Sequence, residues 1–238
     1  MTATISLPSP RQRGLRAILR SERLREMAAK LGIAAVCAFL CLGAVVRFAT
    51  VLDRASPHLD ALSLAQLFTI VCQTIFYLMI LWFTLIRRPA LQRARGWRPR
   101  LVAAVGAFAI FAFGLLPPVH GLALGWHVAA AILLLASAAL AAVVLPYLGR
   151  SFSLMSEARG LVTRGPYRFV RHPLYVVEEL AAIAGFIEAF SVWAALLLAL
   201  QIAFQIRRIL NEEAVLAARF PDYARYRATT ARVIPGLW

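Results

Sequence analysis

Long apolar runs separated by arginine-rich segments most restrict how this chain can fold. Six such runs lie at about residues 31–52, 62–86, 101–119, 122–148, 174–187 and 190–209. A helix that crosses a membrane needs about 20 predominantly apolar residues. Mean hydropathy is +0.74 and 61% of the 238 residues are hydrophobic, whereas about half is usual in a soluble domain. The sequence therefore predicts an all-α, polytopic membrane bundle of six apolar segments, the last two of which form a helical hairpin.

The basic residues alternate with these runs. Seven precede the first run, six lie in 87–100, five in 149–173 and six after residue 206, whereas the intervening connections hold Arg54 alone. Cytoplasmic loops of membrane proteins carry such an excess of arginine and lysine. This topology explains the net charge of +15 better than nucleic-acid binding does, because the stretches between the arginines are apolar. Both termini and the 149–173 loop are predicted to face the cytoplasm, and the abundance of alanine and arginine indicates a bacterial plasma membrane.

The chain divides into three predicted regions: a basic N-terminal segment 1–30, four transmembrane helices within 31–148, and a functional region 149–238. In the first region Leu15, Ile18 and Leu19 fall on one helical face. A basic amphipathic helix lying on anionic lipid fits this pattern. A solvated leader that only sets the orientation of the chain fits it equally well.

The three cysteines, Cys37, Cys41 and Cys72, lie inside apolar runs with no neighbouring histidine. They are predicted to be small buried hydrophobic residues, and no metal site is expected.

Polar residues that could carry chemistry concentrate after the fourth run. The segment from Gly165 to Tyr175 contains two prolines, two tyrosines, two arginines and a histidine. Such a segment between membrane helices is costly unless it lies at the membrane surface or lines a wet cavity.

Two pairs of glutamates follow this segment, Glu178-Glu179 and Glu212-Glu213. Adjacent helical residues point about 100° apart, so at most one of each pair need face a site. Glu178-Glu179 could instead form ion pairs with Arg171 or Arg168.

In this order and spacing, the elements resemble the membrane methyltransferases that include isoprenylcysteine carboxyl methyltransferase and the phospholipid N-methyltransferases. The resemblance covers roughly residues 147–238. It rests on Gly165-Pro166-Tyr167, Arg171-His172-Pro173-Leu174-Tyr175, Glu212-Glu213, Leu216, Phe220, Tyr223, Tyr226 and Ile234-Pro235.

The resemblance implies S-adenosylmethionine as cofactor, bound at the cytosolic face. Its implied contacts are Leu161, Val162, Gly165, Tyr167, His172, Pro173, Tyr175, Glu212 and Glu213. The implied catalytic residues are Arg171, His172 and Glu212. A glutamate suits ribose hydroxyls or an ammonium, and a tyrosine face suits adenine or a sulfonium.

The acceptor is expected to be lipophilic and to enter from the bilayer. The preferred acceptor is the carboxylate of a prenylated cysteine or a similar acid, which is already ionised and which Arg171 could orient. The alternative is the amino headgroup of a phospholipid, which must lose a proton to His172 or a glutamate.

The sequence departs from the family at one place: Glu178-Glu179 stand where members often have a small residue. These acids could bind a cationic substrate or redirect the pocket. A third interpretation, from another functional class, is a transporter or membrane scaffold in which they form an intramembrane ion or proton site.

Overall fold

A computed structural model describes residues 10–55, 58–116, 119 and 122–236, with side chains omitted for 10–20 and 114. Most of the described chain is helical. The α-helices are α1 (Pro10–Ala55), α2 (Ala61–Ile86), α3 (Arg98–Phe108), α4 (Leu124–Leu148), α5 (Pro173–Glu188), α6 (Val192–Arg219) and α7 (Tyr223–Thr229). Three 3₁₀ helices span Ala109–Leu115, Gly149–Ser151 and Gly165–Arg168. Strands β1 (Gln92–Arg93) and β2 (Glu157–Ala158) form a short antiparallel pair in which Gln92 lies opposite Ala158.

Four helical stretches in the described part of the chain are long and apolar enough to cross a membrane. They are Ser21–Ala55, Ala61–Ile86, Leu124–Ser151 and Val192–Arg219. The prediction of a helical membrane protein is therefore confirmed. The third apolar run forms the 11-residue helix α3 and a 3₁₀ helix, and α5 has 16 residues. Both helices are shorter than a full crossing needs, so six crossings remain a prediction.

The first crossing helix continues into the basic segment. Helix α1 has 46 residues and passes through residue 30 without a break. Residues 1–9 lie outside the described part, as do the side chains of Leu15, Ile18 and Leu19, so the predicted amphipathic face stays a prediction.

One hydrophobic cluster holds four of the helices together. It joins Cys37 of α1, Phe83 of α2, Leu145 of α4 and Val177 of α5, with Phe152 from the following loop. A buried hydrogen bond from the Ser137 hydroxyl to the Val177 carbonyl, 2.9 Å long, adds a polar tie between α4 and α5.

The cysteines behave largely as predicted. All three are free, Cys37 and Cys72 are buried, and Cys41 is partly exposed.

An ionic cluster connects the loops on the basic side of the bundle. The Arg159 guanidinium is fully buried and pairs with Glu26 of α1 at 3.0 Å and with Glu157 of β2 at 2.6 Å. Arg87, just after α2, pairs with the same Glu26 at 2.6 Å. Arg93 of β1 pairs with Glu157 at 3.0 Å. Because a buried ion pair loses much of its attraction to desolvation, we read this cluster chiefly as a device that fixes the position of the β2 loop.

Prolines lie where α5 begins and just after α6 ends. Pro173 is the first residue of α5, where its missing N–H costs nothing. The Ser191 hydroxyl accepts a hydrogen bond from the Ala194 amide at 3.2 Å and caps α6. Helix α6 ends at Arg219, just before Pro221, and the short helix α7 follows.

Candidate functional site

A pocket of about 720 Å³ lies where the 148–162 loop, the 167–175 segment, α6 and α7 meet. This volume includes space that is open to solvent at the mouth of the pocket. Seven of the predicted site residues line it: Leu161, Val162, Tyr167, Arg171, His172, Tyr175 and Glu212. The structure therefore brings together residues that are up to about 50 positions apart in the sequence.

Three predicted site residues lie beside the pocket wall rather than in it. Gly165 begins the 3₁₀ turn with a φ of +62°, and the Tyr147 ring packs so closely that a β-carbon would collide with it. Pro173 is buried at the start of α5. Glu213 is absent from the lining, and its carboxylate is turned toward Arg171, His172 and Arg232. Their positions fit a supporting role more directly than contact with a ligand.

A hydrogen bond from α7, in the C-terminal tail that follows α6, fixes the Gly165–Arg168 turn. The Tyr226 hydroxyl donates to the backbone carbonyl of Tyr167 at 2.5 Å. Tyr167 is buried, and burial raises the pKa of its phenol well above the ordinary value. Tyr167 is therefore a neutral ring in the pocket wall at physiological pH.

The backbone of the Arg171-His172 pair is hydrogen-bonded to the same tail. The Arg171 amide donates to the Ala231 carbonyl at 2.8 Å, and the His172 amide donates to the Arg232 carbonyl at 3.0 Å. Val170 and Ala231 form an isolated parallel bridge. These contacts hold the imidazole at the pocket, one residue before α5 begins.

Glu213 is the centre of the ionic contacts behind the pocket. Its carboxylate accepts from Arg171 Nε at 2.8 Å and Arg232 Nε at 3.1 Å, and lies 3.3 Å from His172 Nε2. Arg171 Nη1 also donates to the Arg227 carbonyl at 3.0 Å and to the Thr230 carbonyl. Arg171 is thus committed largely to protein partners, although part of it lines the pocket.

Glu212, the neighbour of Glu213, faces the pocket. Its carboxylate accepts a 2.7 Å hydrogen bond from the Tyr175 hydroxyl. The Tyr175 ring lies 5.2 Å from the His172 ring, centroid to centroid, and the Arg208 guanidinium lies 4.8 Å from its centre. Glu212 therefore fixes the Tyr175 hydroxyl, and the His172 ring and the Arg208 guanidinium flank the Tyr175 ring.

Arg208 is a pocket residue that the sequence reasoning missed. It is almost fully buried and pairs with Glu178 at 2.6 Å. Gln205 bridges the two, donating to Glu178 at 2.6 Å and accepting from Arg208 at 2.7 Å. A signal was present, because Gln201, Gln205, Arg208 and Glu212 recur every three or four residues and mark one polar face of an otherwise apolar helix.

The alternative in which Glu178 pairs with Arg171 or Arg168 does not hold in the structure. Neither Arg171 nor Arg168 pairs with it, since Arg171 binds Glu213 and the Arg168 guanidinium lies 4.4 Å from the Phe169 ring centre. Arg208 reaches Glu178 across the hairpin instead. Gly106 of α3 makes room for this side chain, because a β-carbon there would lie 2.5 Å from Arg208 Cδ.

The two acids at the start of α5 have different surroundings. Glu178 lines the pocket and is paired, whereas Glu179 has one buried carboxylate oxygen with no hydrogen-bond partner among the described residues.

Comparison with known proteins supports the motif-based interpretation. A relative with a curated description, the cobalt-zinc-cadmium resistance protein CzcN of Cupriavidus metallidurans, is 38% identical over 79 residues, which is 32% of this chain and 36% of that protein. The matched part thus spans about a third of the length of that relative. Residues 124–218 match the model of the isoprenylcysteine carboxyl methyltransferase (ICMT) family, from the start of α4 almost to the end of α6. The predicted resemblance, over roughly residues 147–238, is thus confirmed where it overlaps this match, and residues 124–218 are similar to the ICMT family.

Proposed function

We propose that the protein transfers a methyl group from S-adenosylmethionine to a lipophilic acceptor at the membrane. The observation that carries this proposal is that Tyr167, His172, Tyr175 and Glu212 all line one pocket. The family match supplies the general reaction class.

The side chains at this pocket fit the proposed cofactor. The Glu212 carboxylate is an acceptor for ribose hydroxyls or an ammonium group. Leu161 and Val162 supply apolar surface, and the Tyr175 ring offers a face to adenine or to a sulfonium cation. When bound, the cofactor supplies a methyl group on a positively charged sulfur.

The contribution of the chain to such a reaction is mainly orientation. An in-line displacement depends on holding the nucleophile close to the methyl carbon and aligned with the bond that breaks. Tyr175 is fixed by its 2.7 Å hydrogen bond to Glu212 and by the cation over its ring. These contacts organise the pocket without requiring a side chain to form a covalent intermediate.

Two acceptor classes are compatible with the family resemblance. A carboxylate, the acceptor that the sequence prediction prefers, needs a cation to orient it. Arg208 now fits that task better than Arg171, whose guanidinium is held by Glu213 and by backbone carbonyls. An amine needs a proton acceptor, for which His172 and Glu212 are within the pocket. Glu178 favours this second class, as argued below.

We further propose that the pocket faces the cytoplasm of a bacterial plasma membrane. The pocket is bordered by the basic 149–173 loop, which β1 and β2 join to the basic 87–100 loop. An arginine excess on that side is typical of the cytoplasmic face. Cofactor would enter from the cytosol and acceptor from the bilayer.

The test begins with calorimetric titration of the purified protein with S-adenosylhomocysteine. We expect saturable binding, and no binding at millimolar ligand would reject the proposal. Glu212→Gln should weaken binding, whereas Glu188→Gln, at the last residue of α5, is the matched control and should not. A transporter or scaffold would keep its transport or binding activity in Glu212→Gln.

The acceptor class can then be read from product chemistry. The protein is incubated with methyl-labelled S-adenosylmethionine and prenylcysteine analogues, phosphatidylethanolamine or a total lipid extract. Base-labile label indicates a methyl ester, and base-stable label on a headgroup indicates a methylated amine.

A further inference from the structure

A second cavity, of about 540 Å³, lies inside the apolar part of the bundle. One wall comes from α1 and α2, through residues such as Ile33 and Phe76. The other comes from α3, the following 3₁₀ helix and α5, through residues such as Phe108 and Phe111. Helix α4 contacts both α2 and α5 and so links the two walls. Spaces between the helices of a bundle are a common place for small-molecule sites.

This cavity lies beside the apolar length of α2, which is long enough to cross a membrane. Ile80, one of its lining residues, lies six positions before the end of α2, which corresponds to about 9 Å along the helix. Surrounding hydrocarbon and an almost wholly apolar lining suit a lipid tail or another long alkyl or isoprenoid chain.

Glu178 connects the cavity to the pocket. It is the one charged side chain in the cavity lining that the structure describes, and it also lines the pocket. Arg208, its ion-pair partner, lines the pocket but not the cavity. A molecule whose tail fills the cavity would consequently present its polar end to a carboxylate before it reaches a guanidinium.

The charges at this boundary favour a cation. Glu178 carries the carboxylate that lines both spaces, whereas Glu179 lines neither and does not pair with Arg208. The first charged group that the polar end of a molecule in the cavity meets is therefore the Glu178 carboxylate. An incoming carboxylate would meet like charge in a medium of low dielectric, whereas an ammonium group would be attracted. An ionisable residue at this depth is itself an indication of function.

We propose that Glu178 binds the ammonium group of a lipophilic amine acceptor whose apolar tail occupies the second cavity. This inference rests on the proposed function and narrows it to an amine. Arg208 is the counterion of Glu178 in the structure, and Gln205 holds both groups in place. An arriving ammonium group shares the carboxylate with Arg208 at the edge of the pocket where Tyr175 and Glu212 lie.

The experiment uses two photoreactive probes with the same alkyl chain, one ending in an amine and the other in a carboxylate. Each is added to the purified protein saturated with S-adenosylhomocysteine. After irradiation, labelled residues are located by mass spectrometry. We expect the amine to label the second cavity, for example at Ile33, Phe76 or Phe111, at least tenfold more than the carboxylate does.

Two variants test the role of the carboxylate itself. Glu178→Gln should reduce labelling by the amine at least tenfold and abolish the preference over the carboxylate probe. Glu179→Gln removes the same charge one residue further along α5 and should retain the preference. S-adenosylhomocysteine titration of each variant shows that the pocket is intact.

The outcomes separate this inference from the proposed function. Equal labelling of the cavity by both probes in the unaltered protein, or labelling outside the cavity only, overturns the inference whatever the variants do. Unchanged amine labelling in Glu178→Gln also overturns it. Failure of the unaltered protein to bind S-adenosylhomocysteine rejects the proposed function instead.

Discussion

Glu212 and Glu213 provide the sharpest test of how the site is built. They are adjacent and chemically identical, yet one faces the pocket and the other faces buried bases. The same substitution, glutamate to glutamine, is therefore expected to affect a different property at each position. Ligand affinity should fall at Glu212, and stability should fall at Glu213.

The expected loss at Glu213 follows from its partners. Glu213→Gln leaves Arg171, which is 8% exposed, without its counter-charge. Breaking a buried ion pair from one side costs about 3–5 kcal/mol. Arg232 is more exposed and adds only about 0–1 kcal/mol. At about 2–4 °C per kcal/mol for a chain of this size, Tm should fall by on the order of 10 °C.

The expected loss at Glu212 is in binding. Removing one charged hydrogen bond to a ligand costs about 1.5–3 kcal/mol, which is about 10- to 150-fold in Kd. Glu212 also accepts from the Tyr175 hydroxyl, and a glutamine oxygen can still accept that bond. The fold should therefore be affected much less than affinity.

The assay pairs thermal unfolding in detergent with S-adenosylhomocysteine titration well below Tm. The reasoning is refuted if Glu212→Gln lowers Tm as much as Glu213→Gln does. It is equally refuted if Glu212→Gln binds the ligand with unaltered affinity.

Three further changes test other parts of the site. His172→Ala should weaken S-adenosylhomocysteine binding more than it lowers Tm; failure to extract as a stable protein would make the residue structural. Gly106→Ala should displace Arg208 and cost about 1–3 kcal/mol through overpacking, visible as a lower Tm, whereas Gly125→Ala, with nothing within 4 Å, should not. Burial raises the pKa of Tyr226 to about 12, so stability is full below the ordinary tyrosine pKa of about 10 and is lost as pH rises through 12. Tyr226→Phe should reduce that alkaline fall in Tm measured by scanning fluorimetry.

Local signals in the sequence predicted much of the helical framework. Apolar run length indicated α2, α4 and α6. The third run was overestimated, since a 3₁₀ helix follows α3 and shortens the α-helical part. The length of an apolar run predicts burial in lipid, but it does not distinguish an α-helix from a 3₁₀ helix.

Contacts between distant segments could not be read from spacing. The helical period predicts that only one of Glu212 and Glu213 faces the site, but choosing between them requires the position of Arg171. In the same way, the partner of Glu178 depends on how α6 crosses α5, which brings Arg208 into reach. The β1–β2 pair joins segments about 65 residues apart, and two residues per strand leave too little alternation to detect.

The bridge between Val170 and Ala231 has a consequence for biogenesis. The whole α5–α6 hairpin lies between its two sides in the chain, so this side of the pocket can close only after both helices have been made and the polypeptide has been synthesised past residue 231. Binding of a nucleoside ligand would then report that the hairpin is complete and in place. A ribosome-bound intermediate halted within α7 should be anchored in the membrane yet unable to retain the ligand.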